Sequence, residues 1–168
     1  MIRALRAGLV VCLGWATTAS AAPTVVSDDD VRWQLDLPDS WSPGERDDLE
    51  IGKALAVWTS GRRRFVLLRL RGNTDGAYDG KPAFWSGLED GVRKDAPDFR
   101  RLSGTVKKLG KKKKVPGYDL WYRIAGGVRG VRFIFLRNYC LMGTIDLPGE
   151  RSVPRDVRRV LESLGPAP

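Results

Sequence analysis

Between Leu102 and Leu147 the chain carries apolar runs in direct succession, with no helical pattern between them. The runs are Thr105–Leu109, Tyr118–Ala125, Val131–Arg137 and Cys140–Leu147. Gly110, Pro116-Gly117, Gly126-Gly127 and Arg137-Asn138 punctuate them. Connections that short join antiparallel neighbours, because a parallel strand needs a crossover of roughly a dozen residues or more. The segment therefore reads as an antiparallel meander, and the rest of the chain has to pack against it.

The upstream half supplies a strand, a hairpin and a helix. Val31, Trp33, Leu35 and Leu37 alternate with Arg32, Gln34 and Asp36, which predicts a half-buried strand ended by Pro38. Glu45 to Glu50 is an acidic surface stretch. Ala54–Thr59 and Phe65–Leu70, separated by Ser60-Gly61-Arg62-Arg63, predict a hairpin. Pro82 to Ala96 predicts a helix, since Pro suits a first turn and Phe84, Trp85, Leu88 and Val92 share one face. Pro154 opens a final helix with Val157, Val160, Leu161 and Leu164 on one face. Strands and helices are segregated along the chain. That predicts an α+β fold: an antiparallel β-sheet, made of the hairpin plus the C-terminal meander, packed by two main helices. Trp41, Trp121 and the pair Phe84-Trp85 are expected in the core, and alternation turns Asp119 away from Tyr118, Leu120 and Tyr122 and so towards water.

Residues 1–21 read as a secretory signal peptide. Arg3 and Arg6 precede an apolar run from Ala7 to Ala16, and Ala19-Ser20-Ala21 forms a small-residue exit with cleavage expected after Ala21. The apolar run is far shorter than the roughly 20 residues that span a bilayer. Val11 before Cys12 does not suit lipoprotein processing. The expected product is periplasmic or secreted, with a flexible lead-in over residues 22–30, a single domain over 31–165 and no transmembrane span. Removing Arg3 and Arg6 from 29 Lys and Arg leaves 27 cations against 20 acids, a net charge of +7. Cys140 is then the sole cysteine, so packing alone must hold the domain, and its apolar neighbours predict a buried, inert thiol. Ser27-Asp28-Asp29-Asp30 and the loop with Asn73, Asp75, Gly76 and Asp79 lack the oxygen spacing of a calcium site.

Several short motifs resemble those of PsbP/DcrB-type domains, whose fold is shared with the Ran-binding Mog proteins. They are Leu35-Asp36-Leu37-Pro38-Asp39-Ser40-Trp41, Gly117-Tyr118-Asp119-Leu120-Trp121-Tyr122, Arg137-Asn138-Tyr139-Cys140-Leu141, the strand end Leu147-Pro148-Gly149, and the closing Leu161-Glu162-Ser163-Leu164. The resemblance spans roughly residues 31–165. It implies a PsbP-like fold and a non-enzymatic adaptor, chaperone-like module or subunit, with no catalytic residue to carry over. The chain departs from the pattern in its lysine-rich loop.

Missing residue types narrow the chemistry. With no histidine, Ser-His-Asp and Cys-His catalysis and histidine-ligated metals are excluded. No glycine-rich phosphate loop follows a strand, and no cofactor is expected. No acid sits in a context that predicts burial and a raised pKa, with Asp119 and Asp146 on strands as the exceptions to test and Asp119 turned towards water by alternation; a carboxylate-dependent hydrolase is the second alternative. The unusual surface feature is a run of cations without an acid: Arg100, Arg101, Lys107, Lys108, Lys111, Lys112, Lys113 and Lys114. These are the candidate anion-binding residues, the last four at a hairpin tip. Charge of this kind either keeps a sheet edge soluble or docks an anionic partner. Nucleic acid is disfavoured, because the loop lacks interleaved aromatics. The leading expectation is an exported, non-enzymatic binding or accessory module of a bacterial-type cell envelope, acting on an unknown protein partner. The first alternative is a peripheral envelope protein that docks on anionic surfaces through the lysine loop. A concave apolar patch would favour the leading expectation, and a flat positive face the first alternative. Two converging buried acids would favour the hydrolase.

Overall fold

The computed structural model describes residues 23–28, 31–46, 52–70, 81–96, 98–110, 115–136 and 139–167. Four long strands form the meander: β6 (Arg100–Leu109), β7 (Val115–Ile124), β8 (Gly127–Phe135) and β9 (Cys140–Pro148). A hairpin precedes it, β4 (Gly52–Ser60) and β5 (Arg63–Leu70), turning at Gly61 with φ +59°. A two-residue β3 (Ser42–Pro43) pairs with the end of β4. All pairings are antiparallel, and the seven-stranded sheet runs β3-β4-β5-β9-β8-β7-β6. Helix α1 (Pro82–Asp95) and helix α2 (Arg155–Ser163) complete the α+β architecture that the sequence predicts. Strand β6 begins well before the apolar run at Thr105. It lies at the sheet edge, where half-solvated residues carry no apolar signature.

A second, three-stranded sheet was not foreseen. Its strands are β1 (Thr24–Asp28), β2 (Val31–Leu35) and β10 (Gly165–Pro166), in the order β1-β2-β10. Residues Thr24–Asp28 of the expected flexible lead-in thus form a strand, paired with β2 in register from Thr24↔Leu35 onward. Val26 sits opposite Trp33 and packs against the core, which gives this segment an apolar reason to order.

Both faces of the large sheet are covered. On one, Phe65, Leu67, Trp121, Ile134, Leu141 and Ile145 meet Trp33 and Leu35 of β2 and Val157, Val160, Leu161 and Leu164 of the α2 segment. Gly130 lies directly under the Trp121 ring, in the space a Cβ would occupy, and the Arg158 guanidinium sits 5.5 Å from the centre of that ring. On the other face Tyr118, Leu120, Tyr122, Val131, Phe133 and Phe135 meet Trp85, Leu88 and Val92 of α1. Trp41 and Trp121 are buried, as their context predicts. Among the described residues no helix is long and apolar enough to cross a membrane.

Asp119 does not face water. Alternation does turn it away from Tyr118, Leu120 and Tyr122, but the face it turns to is closed by α2, and Asp119 is only 4% exposed. Its carboxylate accepts two hydrogen bonds from Arg132, from Nε and Nη2 at 2.6 Å each. Arg132, 2% exposed, uses Nη1 to donate to the carbonyls of Glu162 and Leu164, both at 2.7 Å. The guanidinium thereby satisfies carbonyls left unpaired at the end of α2, where a cation is also favoured by the helix dipole. Removing one member of a buried pair strands the other charge and costs about 3–5 kcal/mol, whereas replacing both with packed apolar groups costs far less. Asp119→Ala should therefore lose stability on that scale in urea denaturation. The double variant Asp119→Ala/Arg132→Met should recover part of it, and a double variant as unstable as the sum of the singles would contradict this account.

Candidate functional site

The basic residues of β6 split between the two sheet faces. Register places Arg101 and Lys108 on the α1 side, opposite Tyr122 and Pro116, and Arg100 and Lys107 on the other side, opposite Arg123 and Gly117. A bulge between Arg101 and Ser103 is what brings Arg100 and Lys107 into the same phase. Arg100 and Lys108 are eight residues apart, roughly 26 Å along an extended strand. Arg101 is engaged within the fold: its Nε donates to Glu89 at 3.1 Å, and Tyr118 donates to the same Glu89 oxygen. Gly104 leaves the room this cluster needs. Lys107 lies 4.0 Å from Asp119. These cations do not make one anion patch, and Lys111, Lys112, Lys113 and Lys114 lie outside the described residues.

A groove runs between α1 and the sheet, and its shape follows from the side chains along the helix. The N-terminal half of α1 stands on rings: Trp85 stacks on Tyr118 at 5.1 Å and Phe84 meets Phe135 edge-on at 5.0 Å. Further along, Val92 and the C-cap Ala96 face the sheet with smaller side chains, and a space of about 270 Å³ remains between helix and strands. The floor is apolar, with Val66 and Leu68 of β5, Val131 and Phe133 of β8 and Met142 of β9. One end is charged. There the register lines up Arg64, Asp146, Arg129 and Tyr122 in a row across β5, β9, β8 and β7, with Asp95 of α1 at the same rim.

Within that row Arg129 Nε donates to Asp146. Burial pulls the Arg129 guanidinium down, but Asp146 and Tyr122 together more than offset it and the net shift is upward. Burial pushes the Tyr122 phenol up, with Arg129 opposing. Arg64 lies directly across from Asp146 on β5. The groove end thus holds two guanidinium groups and two carboxylates, and a buried phenol that stays neutral at ordinary pH.

The two strand acids that invited a catalytic reading are on opposite faces of the sheet. Asp119 is held by Arg132 under α2, and Asp146 by Arg129 beside α1. Among the described residues no group of three or more His, Cys, Asp or Glu is placed to hold a metal. Cys140 is buried, and its thiol is pushed up to about 12 by desolvation. The groove residues were missed in the sequence. The signal that could have found them is the second alternation, Arg129-Val131-Phe133-Phe135 on β8 beside Tyr118-Leu120-Tyr122 on β7, which shows an apolar face ending in a polar row.

No family model matches the chain, and no curated protein matches it. Among solved structures, a similar chain is a Pseudomonas aeruginosa protein described as of unknown function. It is 17% identical, with 81% of this chain and 86% of that chain covered, at a TM-score of 0.40.

The folded Tyr122 phenol holds its proton more tightly than an unfolded one, whose pKa is about 10. The associated stability is complete below that value and is lost as pH rises towards the folded pKa. In an alkaline titration followed by phenolate absorbance, Tyr122→Phe should remove a transition above the ordinary phenol range and flatten the loss of stability there. A variant that titrates as the wild type does would contradict the burial of this phenol.

Proposed function

We propose that this chain is an exported, non-enzymatic binding or accessory module of the cell envelope, and that the groove under α1 takes an apolar segment of a partner protein. The observation that carries this reading is the apolar floor of Val66, Leu68, Val131, Phe133 and Met142, a concave patch of the kind a binding module needs. The charged end supplies orientation: paired Arg and Asp side chains accept either a backbone terminus or a polar flank without net charge of their own. Separation of Asp119 and Asp146 onto opposite faces, each held by an arginine, speaks against those two carboxylates working on one bond, and Asp95, the other acid at the groove end, is exposed rather than buried. The signal-peptide pattern of residues Met1–Ala21 supports export, and the PsbP/DcrB-like motifs support an adaptor role.

The groove is tested with Nile red, a neutral apolar dye, on the folded chain. Wild type should bind it and brighten it. Met142→Asp on the floor and Val92→Asp on the helix wall should each weaken binding at least tenfold, while Val25→Asp on the exposed β1 should not. Equal binding by all forms would remove the groove from the proposal, with thermal melting showing that each variant is folded.

Export is tested separately, by N-terminal sequencing of protein recovered outside the cytoplasm. The expected first residue is Ala22. A chain that retains Met1, or one that starts at a lipid-modified Cys12, would overturn this part.

A further inference from the structure

The two ends of the seven-stranded sheet are finished differently. At the β4 end the chain covers its own edge: Gly44 N–H donates to Val57 O at 2.9 Å, and Arg46 Nη1 donates to Leu55 O at 3.1 Å. At the other end β6 pairs with β7 alone, and among the described residues no other backbone group bonds to it. Half the N–H and C=O groups of an edge strand point outward. Strand β6 has no proline, and past the bulge between Arg101 and Ser103 it offers an open ladder over Ser103–Leu109, on which the Arg101 side chain reaches Gly104 O at 3.5 Å.

We infer that this edge accepts an extended acidic segment of a partner protein as an additional strand. Lysines on an edge commonly serve to repel other strands. That alone does not account for β6, because Leu102 (43% exposed) and Val106 (51%) are two of the three exposed large apolar side chains among the described residues. An edge selected only for solubility would be polar at both. The charge instead selects the occupant. Arg100, Arg101, Lys107 and Lys108 lie on β6 with no acid in the strand; Arg101 already meets Glu89 and Lys107 lies 4.0 Å from Asp119, so a partner's acids share those two with the fold and meet Arg100 and Lys108 directly. A second copy pairing antiparallel about a two-fold axis would bring Arg100 and Arg101 of one chain to Lys107 and Lys108 of the other, cation against cation. An acidic strand meets the same side chains as counter-ions. Since Val106 and Lys108 share one face and Lys107 takes the other, the complementary segment places an apolar residue opposite Val106 and two successive acids opposite Lys107 and Lys108. This inference does not depend on the groove, whose floor is formed by β5, β8 and β9 and not by β6.

The test uses the folded chain and three short peptides: a Glu/Val peptide that sets two adjacent Glu after each Val, its Lys/Val counterpart, and the Glu/Val peptide N-methylated at every residue of its central stretch so that neither edge can donate. Binding is read by fluorescence anisotropy at physiological salt, and hydrogen exchange locates the site. The Glu/Val peptide should bind and slow exchange of β6 amides at least tenfold, leaving β5 and β9 unchanged. The Lys/Val and N-methylated peptides should each bind at least tenfold more weakly. Lys107→Glu/Lys108→Glu should invert the preference between acidic and basic peptides. Equal binding of the N-methylated peptide would reduce the effect to charge attraction and overturn the inference. So would binding only to phosphatidylglycerol vesicles, or a dimer in which β6 amides are already protected without peptide.

Discussion

The guanidinium of Arg132 sits at 2% exposure in the middle of a sheet, where an unpaired charge would cost several kcal/mol after relaxation. Its hydrogen bonds therefore dictate what must surround it. Two go to Asp119 on the next strand, and two go to the carbonyls of Glu162 and Leu164 where α2 ends. The same ending releases Gly165–Pro166 to pair with β2 as β10, so one side chain fixes where the helix stops and where the small sheet attaches. Apolar burial by Val157, Val160 and Leu161 holds α2 on the sheet but does not choose its axial position. The directional bonds of Arg132 do.

The opposite face is built without such a node. Helix α1 is positioned by ring contacts of Phe84 and Trp85 and by the Glu89–Arg101–Tyr118 cluster, all towards the outer strands β6, β7 and β8. Rings hold a helix further from a sheet than aliphatic side chains do. The step from Trp85 to Val92 and Ala96 along one face consequently leaves an open groove where a uniform helix would have closed it. Cys140 on the same face is buried, and desolvation pushes its thiol up to about 12. What the groove can do is hold an apolar body and orient a polar end.

The finish of the sheet edges belongs to the same logic. Backbone groups at an edge must be bonded by something. The chain supplies its own donors at β4, through Gly44 and Arg46, and leaves β6 to solvent or to a partner. A cationic edge with exposed Val106 and Leu102 excludes copies of itself while staying open to an acidic strand.

Much of the architecture was legible in the sequence because period-2 and period-3.6 apolar patterns report local geometry directly. The meander, the hairpin, and both helices with their buried faces could be read from Val31 to Leu164 in this way. Trp41 and Trp121 could be placed in the core on the same basis. The edge residues before Thr105 could not, since solvated strands carry no apolar signature. Thr24–Asp28 was hidden because its order comes from pairing with β2. Asp119 shows the limit most clearly. Alternation correctly assigns it to the face opposite Tyr118, but alternation cannot say whether that face meets water or a helix 40 residues further on. The cations of β6 were legible as a cluster in sequence, yet alternation divides them between two faces, and the bulge between Arg101 and Ser103 decides which of them share one. Local residue patterns determined which segments became strands and helices. Which of their faces were buried, which charges met, and where a groove and an open edge remained depended on contacts between segments far apart in the chain. Those contacts are decided only when side-chain sizes and hydrogen-bond partners are brought together in three dimensions.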